Sequence, residues 1–462
     1  MQLLHTPAAV TASFDEENLI SDAGLEPVMR LAERAGLHQQ VRTRVHLPDS
    51  TGANPAGKVA TIVAGMLAGA DSIDDLDRVR HGGMGLLFDG VYAPSTLGSF
   101  LRGFSHGHVR QLESAARAVL ADLASAAPLL PAADVLTFID IDSLLRPCYG
   151  KAKQGASFGH AKVGGYQILR RGYSPLIATI STPQAAPVIA ATRLRAGKAG
   201  SARGAASLVA EAITVAKAAG ATGEILVRGD SQFYAAKVIS ACRRAQARFS
   251  LTMPITRALR KAIATIPAEA WIDIHYPNAI WDEHEQRWIS DAQIAQLTYT
   301  AFAGTKHEIT ARLIVRRVKR LNPQAANGQD ELFTLWRYHA CFTDTRHTLV
   351  QAEAHHRGHA TQEQCFAEII DGPLAHLPSG AFNANAAWLT LTAIAHNLTR
   401  AAGTLASRYH AVARPATIRN QLIGVGARIA HRARKIIIHL PERWPWQPAW
   451  QQLFTAVHTT PT

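Results

Sequence analysis

The chain has 462 residues, with 48 Lys and Arg against 35 Asp and Glu, a formal net charge of +13 and a pI near 9.8. Its hydrophobic fraction of 47% suffices for a large core and excludes a wholly disordered chain. Four cysteines without a CxxC pair exclude a zinc ribbon or a disulfide scaffold.

No segment of the sequence is typical of a membrane protein or a secreted protein. The longest apolar stretch, 59–70, is too short to cross a bilayer, and the amino terminus lacks a basic segment followed by an apolar one. We therefore expect a cytoplasmic protein with no membrane partner. The excess of basic residues makes a polyanion the first partner to consider.

The basic residues concentrate in segments that contain almost no acid. There is no acidic residue between Asp142 and Glu211, Glu442 is the single acid in 401–462, and 312–320 is a third basic run. Such cations repel one another unless an anion neutralises them, and nucleic-acid phosphates do so with release of counterions. A solvated cationic face is the alternative for any one segment, but three segments together favour nucleic acid.

The predicted elements change character near residue 131. Residues 1–130 have apolar residues at helical spacing and are predicted to be mostly helical. Residues 131–255 contain an apolar strand at 135–142, a hairpin pair over 164–182 turning at Gly172, and then alternating strands and helices. This order predicts an α/β protein with a mixed sheet and helices on both of its faces.

The remaining chain is predicted to interrupt and then complete this sheet. Residues 256–345 contain short strand-like runs with several Trp and Tyr, which indicates an inserted β-rich subdomain. Helical spacing returns over 346–405. We expect 406–462 to be a basic, helical C-terminal region.

Carboxylates follow the predicted strands at positions suited to chemistry. Asp140 and Asp142 lie two residues apart on one face of a buried strand, and Asp230 ends the strand at 224–230. Glu363 lies in a later helical segment. Taken alone, Asp230 is explained as a helix cap and Glu363 as a solvated residue. Together at one sheet edge, three such oxygen ligands suit Mg²⁺ or Mn²⁺ and phosphoryl transfer.

Several segments match a known family in the same order. They are FIDIDS, YGKAKQGASFGHAKVGGY, GYSPLIATIS, RLRAGKAGS, ILVRGDSQF and the segment from HHRGH to HNLTR, over about residues 80–405. On these segments the chain resembles a DDE transposase of the insertion-sequence type called group 1, which has an RNase H-like catalytic core. The resemblance implies that 131–255 and 346–405 are the two parts of that core.

The resemblance also implies the catalytic residues. Asp142, Asp230 and Glu363 correspond to the two Asp and the Glu that hold Mg²⁺, for which Mn²⁺ would substitute. Leu144 replaces a Thr that is frequent in the family, so the choice between Asp140 and Asp142 stays open, with Asp142 preferred. Ile370 stands where related enzymes have a basic residue. Arg357, which precedes the Glu, is the candidate phosphate contact beside the active site.

The function implied is cut-and-paste DNA transposition in the bacterial nucleoid. The chain would bind terminal inverted repeats through 1–130 and the basic C-terminal region 406–462. It would then cleave the strand at the element end and join the 3′-OH to target DNA. Two ends would be paired by a homodimer or a larger assembly. The segment RAGKAGSARGA lacks P-loop spacing, so no nucleotide cofactor is expected. Further DNA contacts are expected from six cations near the first Asp: Arg146, Lys151, Lys153, Arg193, Arg195 and Lys198.

Two other functions remain as alternatives to transposition. A catalytically silent or domesticated DNA-binding protein could keep the same fold, and a nuclease could cleave without strand transfer. An intact triad argues against the first alternative. A 3′-OH joining assay separates the second alternative from a transposase.

Overall fold

The computed structural model describes residues 1–48, 52–163, 166–275, 281–282, 287–288, 292–319 and 336–459. The side chains of 162–163, 166–167, 281–282, 287–288, 319 and 360–364 lie outside this description. In the part of the chain so described, no helix is both long and apolar enough to span a membrane.

The amino-terminal region is a helical layer that precedes the sheet. Asn54 caps one of its helices by accepting a hydrogen bond from the Gly57 N–H, and Ser105 caps another through the His108 N–H. Its elements are β1 (Leu19–Ile20), α1 (Leu25–Arg34), α2 (Leu37–Arg44), α3 (Pro55–Leu67), α4 (Met84–Leu87), α5 (Pro94–Arg102) and α6 (His106–Ala126).

Most strands of the chain follow this layer. The first group is β2 (Leu136–Ser143), β3 (Arg146–Pro147), β4 (Ser157–Val163), β5 (Tyr166–Tyr173), β6 (Leu176–Thr182), β7 (Ala185–Arg193), α7 (Ala205–Ala218), β8 (Glu224–Gly229), α8 (Ala236–Arg244) and β9 (Arg248–Met253). The second group is α9 (Arg257–Ala264), β10 (Ile272–Ile274), β11 (Trp281–Asp282), β12 (Arg287–Trp288), β13 (Ala292–Ala301), β14 (Ile309–Lys319) and β15 (Trp336–Thr343).

The carboxyl-terminal part is helical apart from one hairpin. Its elements are α10 (Leu349–Arg357), α11 (Thr361–Ile370), α12 (Phe382–Ala406), α13 (Arg408–Val412), α14 (Pro415–Ile418), β16 (Ala427–Arg432), β17 (Lys435–His439) and α15 (Gln447–His458). Almost all of α12 is buried, because it packs on α6, α3 and β7.

A nine-stranded mixed sheet lies at the centre, with the order β10-β13-β14-β15-β9-β8-β2-β6-β7. Strands β2, β8 and β9 are parallel neighbours, and the other pairs are antiparallel. The first five strands of this sheet in chain order are β2, β6, β7, β8 and β9. Across the sheet they lie in the order third, second, first, fourth, fifth. The predicted mixed sheet of an RNase H-like α/β protein is confirmed.

Strand β2 has helices on both of its faces, as predicted. Successive side chains of a strand point to opposite faces. The Phe138 ring lies 5.3 Å from the His355 ring of α10, whereas Ile139 belongs to the main core on the other face. Asp140 and Asp142 share the face of Phe138, so both carboxylates project toward the side of α10.

The predicted hairpin turning at Gly172 is wrong. Strand β5 pairs with β4 and β3, whereas β6 pairs with β2 and β7. Gly172 lies inside β5, where a Cβ atom would come within 2.1 Å of the Arg146 carbonyl oxygen. A glycine is therefore required for close strand approach here rather than for a turn.

Four strands of the predicted insertion at 256–345 extend the central sheet, whereas β11 and β12 pair with each other. Strand β15 pairs antiparallel with β9, and β14, β13 and β10 follow outward. The free edge of β9 offers unpaired backbone groups, and β15 satisfies them. The boundaries of this segment, like those of the other predicted regions, stay predictions.

The C-terminal region was predicted to be helical, but it also contains two strands. Strands β16 and β17 form an antiparallel hairpin, and β16 also pairs with β1. Ala433 and Arg434 turn the chain with φ of 47° and 69°, as in the two-residue turns that join twisted strands. The β-branched run at Ile436–Ile438 favours a strand over a helix.

Candidate active site

Asp140 is neutralised by a buried arginine on the neighbouring strand. Arg228 lies opposite Asp140 in the parallel register of β2 and β8. Its Nε lies 2.7 Å from Asp140 Oδ1 and its Nη2 2.6 Å from Oδ2, and both side chains are 3% exposed. Such a bidentate pair occupies both carboxylate oxygens. Asp140 is therefore part of the internal structure.

Arg228 also joins this pair to the helical layer above it. Its Nη1 donates to the His355 carbonyl oxygen at 2.6 Å, and its guanidinium lies 3.8 Å from the centre of the Phe138 ring. One side chain thus links β2, β8 and α10. Arg228 was not among the predicted site residues, although the pattern D-x-D on one strand and R-x-D on the next contains the signal.

Asp142 and Asp230 lie where β2 and β8 end, side by side. The last parallel pair of the two strands is Ile141 with Gly229, and each carboxylate belongs to the next residue along the chain. Both residues are half-buried. Asp142 Oδ1 accepts the Ser143 N–H at 2.6 Å, and Asp230 Oδ1 accepts the Gln232 N–H at 2.9 Å.

The Asp230 contact shows that the capping role considered for this residue is real. Asp230 is the N-cap of the short turn formed by 231–233. This bond uses one carboxylate oxygen, Oδ1. A capping Asp at a strand end is therefore compatible with a ligand role, since a carboxylate has two oxygens and about four acceptor sites.

Glu363 lies in the first turn of α11, and its side chain is outside the described part. The helix itself packs against β2 and β7. Its buried residues Cys365, Phe366 and Ile369 hold it there. The fold thus brings the helix of the third predicted carboxylate to the strand that carries the first.

A comparison with known protein families agrees with this geometry. A family model described as transposase DDE domain group 1 matches residues 4–462. The chain belongs to this family of DDE transposases. No curated protein sequence matches it significantly.

DDE transposases generally use divalent metal ions, and the strand ends supply part of the required donor set. Asp142 and Asp230 offer hard oxygen donors at adjacent strand ends, which suits Mg²⁺. Among the residues with described side chains, no cluster of three His, Cys, Asp or Glu forms a metal site. The side chain of Glu363, the third predicted donor, lies outside the described part. The two described carboxylates have the chemistry that a divalent cation requires.

A loop of the transposase bridges the two strand ends. The Ser143 hydroxyl donates to Ser201 Oγ at 3.4 Å, and Ser201 in turn donates to Gln232 Oε1. Ser143 follows Asp142, and Gln232 is two residues beyond Asp230. The loop 196–204 therefore spans the edge where both carboxylates emerge. This loop overlaps the segment RLRAGKAGS, one of the segments that match the family, but its contacts with the strand ends were not predicted.

Arg195, predicted to contact DNA, is used inside this loop instead. It is 6% exposed and donates to the backbone carbonyls of Ser174, Gly200, Ser201 and Arg203. Burial lowers the pKa of its guanidinium to about 10. Because its donors are already satisfied and it is closed off from solvent, Arg195 positions the loop rather than a phosphate.

Arg193 is likewise neutralised within the protein. Its Nη2 lies 3.0 Å from Glu211 Oε1, a carboxylate that also contacts Arg110 and Arg117. Its Nε lies 3.7 Å from Glu113 Oε1. This shared acidic pair makes Arg193 a poor candidate for a DNA contact, contrary to the prediction.

The other predicted DNA contacts differ in exposure. Lys151 and Lys198 are exposed. Arg146 and Lys153 are half-buried and donate to the carbonyls of Ala375 and Ser379 at 2.8 and 3.1 Å. Burial lowers the pKa of Arg146. These two cations tie the strand region to the segment before α12.

Arg357 keeps a 41% exposed side chain at the end of α10. Its Nε lies 3.3 Å from Glu353 Oε1, a buried carboxylate that Arg316 also approaches at 3.6 Å. Arg357 stands just before α11 and therefore close in sequence to Glu363. Arg357 therefore combines an exposed side chain with closeness in sequence to Glu363.

Proposed function

We propose that this transposase cleaves DNA at the ends of a mobile element and joins each freed 3′-OH to target DNA. The observation that carries the proposal is the placement of Asp142 and Asp230 at the ends of adjacent parallel strands. The packing of the Glu363 helix against the same strand supports it. Terminal inverted repeats and target DNA are the proposed double-stranded substrates.

Cleavage and joining are the same reaction with different nucleophiles. In cleavage, water forms a new bond to phosphorus and the 3′-oxygen of the element strand leaves. In joining, that 3′-OH forms the bond and a target oxygen leaves. One site therefore serves both steps, since each exchanges one P–O bond for another.

Asp142, Asp230 and Glu363 are the proposed ligands of Mg²⁺, for which Mn²⁺ would substitute. When bound, the metal would supply positive charge to the attacking and leaving oxygens. The bridge formed by Ser143, Ser201 and Gln232 would hold the strand ends in register. Such support matters because a misplaced carboxylate lowers the rate steeply.

Lys151, Lys198 and Arg357 are the proposed phosphate contacts near this site. They are the exposed members of the cationic set, and phosphates attract such cations with release of counterions. The helical layer at 1–130 and the basic C-terminal region are the proposed end-binding parts. Pairing of two element ends would require a homodimer or a larger assembly, and the proposed location is the bacterial nucleoid.

The test is strand cleavage and 3′-end joining on DNA that carries the element's own ends. We expect metal-dependent activity that falls to background in Asp142→Asn, Asp230→Asn and Glu363→Gln, with end binding retained. Asp134→Asn is the matched control, because Asp134 is exposed just before β2. Equal activity in the three variants and the control would contradict the assignment.

The same assay addresses the two alternative functions. Cleavage without joining would indicate a nuclease. Binding without cleavage in wild type, under every metal condition, would indicate a catalytically silent DNA-binding protein. In either case the transposition proposal would be withdrawn.

A further inference from the structure

The hairpin of β16 and β17 protrudes beyond the strand that supports its base. Strand β1 pairs with β16 at Ala427 and Arg428, and the Ile429 N–H donates to the Asn18 carbonyl. Among the described residues, no third strand pairs with the hairpin beyond this point. Residues 430–437 therefore form a two-stranded ribbon.

The register assigns the two faces of this ribbon. Directly opposite residues of an antiparallel pair project from the same face, and faces alternate along each strand. Ile429 lies opposite Ile438, and both pack on the main core. The face that carries them therefore points inward at the base of the hairpin.

The outward face is basic in two rows. Arg428 lies opposite His439, and Arg432 lies opposite Lys435. All four residues are exposed. Between these rows lie Ala430 and Ile437, a small apolar pair. Arg434 adds a further exposed cation at the turn.

This arrangement costs stability in the isolated protein. Like charges directly opposite one another destabilise a strand pair. The sequence has no acidic residue between Asp371 and Glu442. In the described part of the chain, Arg432 and Lys435 form no ion pair. An external anion could therefore neutralise the charges of Arg432 and Lys435 at the tip of the hairpin.

One acidic residue acts on the base of the hairpin. Hydrogen bonds from Asn18 lower the pKa of the exposed Glu16 carboxyl, and the charge of Arg428 adds to this effect. Glu16 is therefore close enough to influence Arg428. Arg432 and Lys435 lie further from Glu16 along the ribbon. Their charges therefore test the contribution of the outward face to anion binding better than the charge of Arg428 does.

The dimensions of the ribbon match the major groove of double-stranded DNA. Four residues separate Arg428 from Arg432, which corresponds to about 13 Å along a strand. The major groove is about 12 Å wide and admits a two-stranded β-ribbon. The two basic rows would then meet the phosphates on both walls, with Ala430 and Ile437 facing the base edges between them.

We propose that the β16–β17 hairpin enters the major groove of the DNA that this transposase binds. The inference rests on the proposed function, because it takes double-stranded DNA as the substrate. It goes further by assigning the contact to one face of one element. It also assigns the phosphate contacts to Arg428, Arg432 and Lys435.

Two alternative roles of the hairpin predict different results. Cations on an exposed edge strand can simply prevent strand-to-strand aggregation. The free edge of β17 could instead pair with a second copy of the chain. In the first case the cations would contribute nothing to DNA affinity, and in the second their removal would change the oligomeric state.

The test compares Arg432→Thr/Lys435→Thr with His431→Thr/Ile436→Thr, which alters the opposite face at the adjacent positions along the ribbon. Full-length protein binds duplex element ends in Ca²⁺ or EDTA over a range of salt concentrations. We expect the first variant to reduce the slope of log K against log salt by about 2, because two phosphate contacts are lost. Its affinity at physiological salt should fall about tenfold or more.

The control variant should keep the wild-type slope. Both variants should unfold at or above the wild-type temperature, because the first one removes a repulsive pair and neither touches the core. An unchanged slope, or a changed oligomeric state without a change in slope, would overturn the proposal. Equal loss of affinity in both variants would also overturn it, since the contact would then not depend on the basic face.

Methylation of guanine N7 tests entry into the major groove. N7 faces that groove, so methylation at contacted positions should interfere with binding by wild type. It should interfere less for Arg432→Thr/Lys435→Thr, because the hairpin no longer stays in the groove once its phosphate contacts are lost. An identical interference pattern in both proteins would place the hairpin outside the groove. If wild type bound no DNA at all, the proposed function would fail. If wild type bound DNA and Arg432→Thr/Lys435→Thr bound it with the same affinity and salt slope, this inference alone would fail.

Discussion

Between Asp142 and Glu211 several arginines bind acceptor groups of the protein itself, whereas in the β16–β17 hairpin the cations lie on an outward face. Arg146, Arg171 and Arg195 donate to backbone carbonyls. Arg428 and Arg432 lie opposite other basic residues. Neither segment contains an acidic residue, yet cations of the first segment form hydrogen bonds within the protein and those of the second are exposed to solvent. An acid-poor run therefore predicts excess charge without predicting where that charge lies.

The difference follows from what each backbone leaves unsatisfied. The loop 196–204 and the segment before α12 present carbonyl groups that lack a regular partner, and arginine and lysine fill these positions. The hairpin satisfies its own carbonyls through the strand ladder. Its cations are consequently not needed within the fold. In these two segments, irregular backbone carbonyls accept hydrogen bonds from cationic side chains, whereas the paired backbone of the hairpin leaves its cations exposed.

The largest expected effect comes from removing an inward cation that balances a buried charge. Arg228→Met would leave the Asp140 carboxylate buried without a partner, and we expect a loss of about 3–5 kcal/mol in the free energy of unfolding. Chemical denaturation measures it. The matched control is Arg228→Met combined with Asp140→Leu, which removes both charges and should recover most of the loss. A single variant as stable as wild type would mean that water reaches Asp140.

An intermediate effect is expected at Arg195, and it sharpens the comparison within one loop. Arg195→Met would remove the donor for several loop carbonyls and should cost about 2–3 kcal/mol of stability, with an unchanged salt slope of DNA binding. Lys198→Met, three residues away and exposed, should change stability by less than about 0.5 kcal/mol and reduce the slope by about 1. A reversed pattern would make Arg195 the DNA contact.

The smallest effect, measured between pH 7.0 and 5.5, is expected from a buried histidine. His356 lies between the Ser250 and Thr252 hydroxyls at 2.9 and 3.0 Å, and burial lowers its pKa to about 3. The unfolded chain takes up a proton below pH 6.5 that the folded chain refuses, so stability is full above that pH and falls as the pH falls. We expect a loss of about 1.4 kcal/mol per pH unit between pH 6.5 and 3 from this residue.

The measurement compares the free energy of unfolding at pH 7.0 and 5.5 in wild type and in His356→Gln. Wild type should lose about 1.3 kcal/mol more than the variant over this interval. His431→Gln serves as the control, because His431 is exposed on the hairpin. Equal losses in wild type and His356→Gln would show that His356 titrates normally.

The parts of the site that follow strand periodicity could be predicted from the sequence. Alternation placed Asp140 and Asp142 on one face, and the strand ends placed Asp142 and Asp230 at one edge. The long-range contacts could not be predicted in this way. The Arg195 loop contacts depend on carbonyl groups whose positions exist only after the chain folds. The prediction at Gly172 was wrong because close strand approach and a turn both require glycine.

The bond from Arg228 to the His355 carbonyl affects how the protein is made. The ion pair forms between strands that are complete by Gly229, but its third acceptor and the helix of Glu363 come much later in the chain. A ribosome must synthesise β13, β14 and β15 before α11 can dock on β2. The nascent chain thus lacks the third carboxylate of the proposed site while its earlier strands are being made. The proposed DNA cleavage would become available only when synthesis has passed α11.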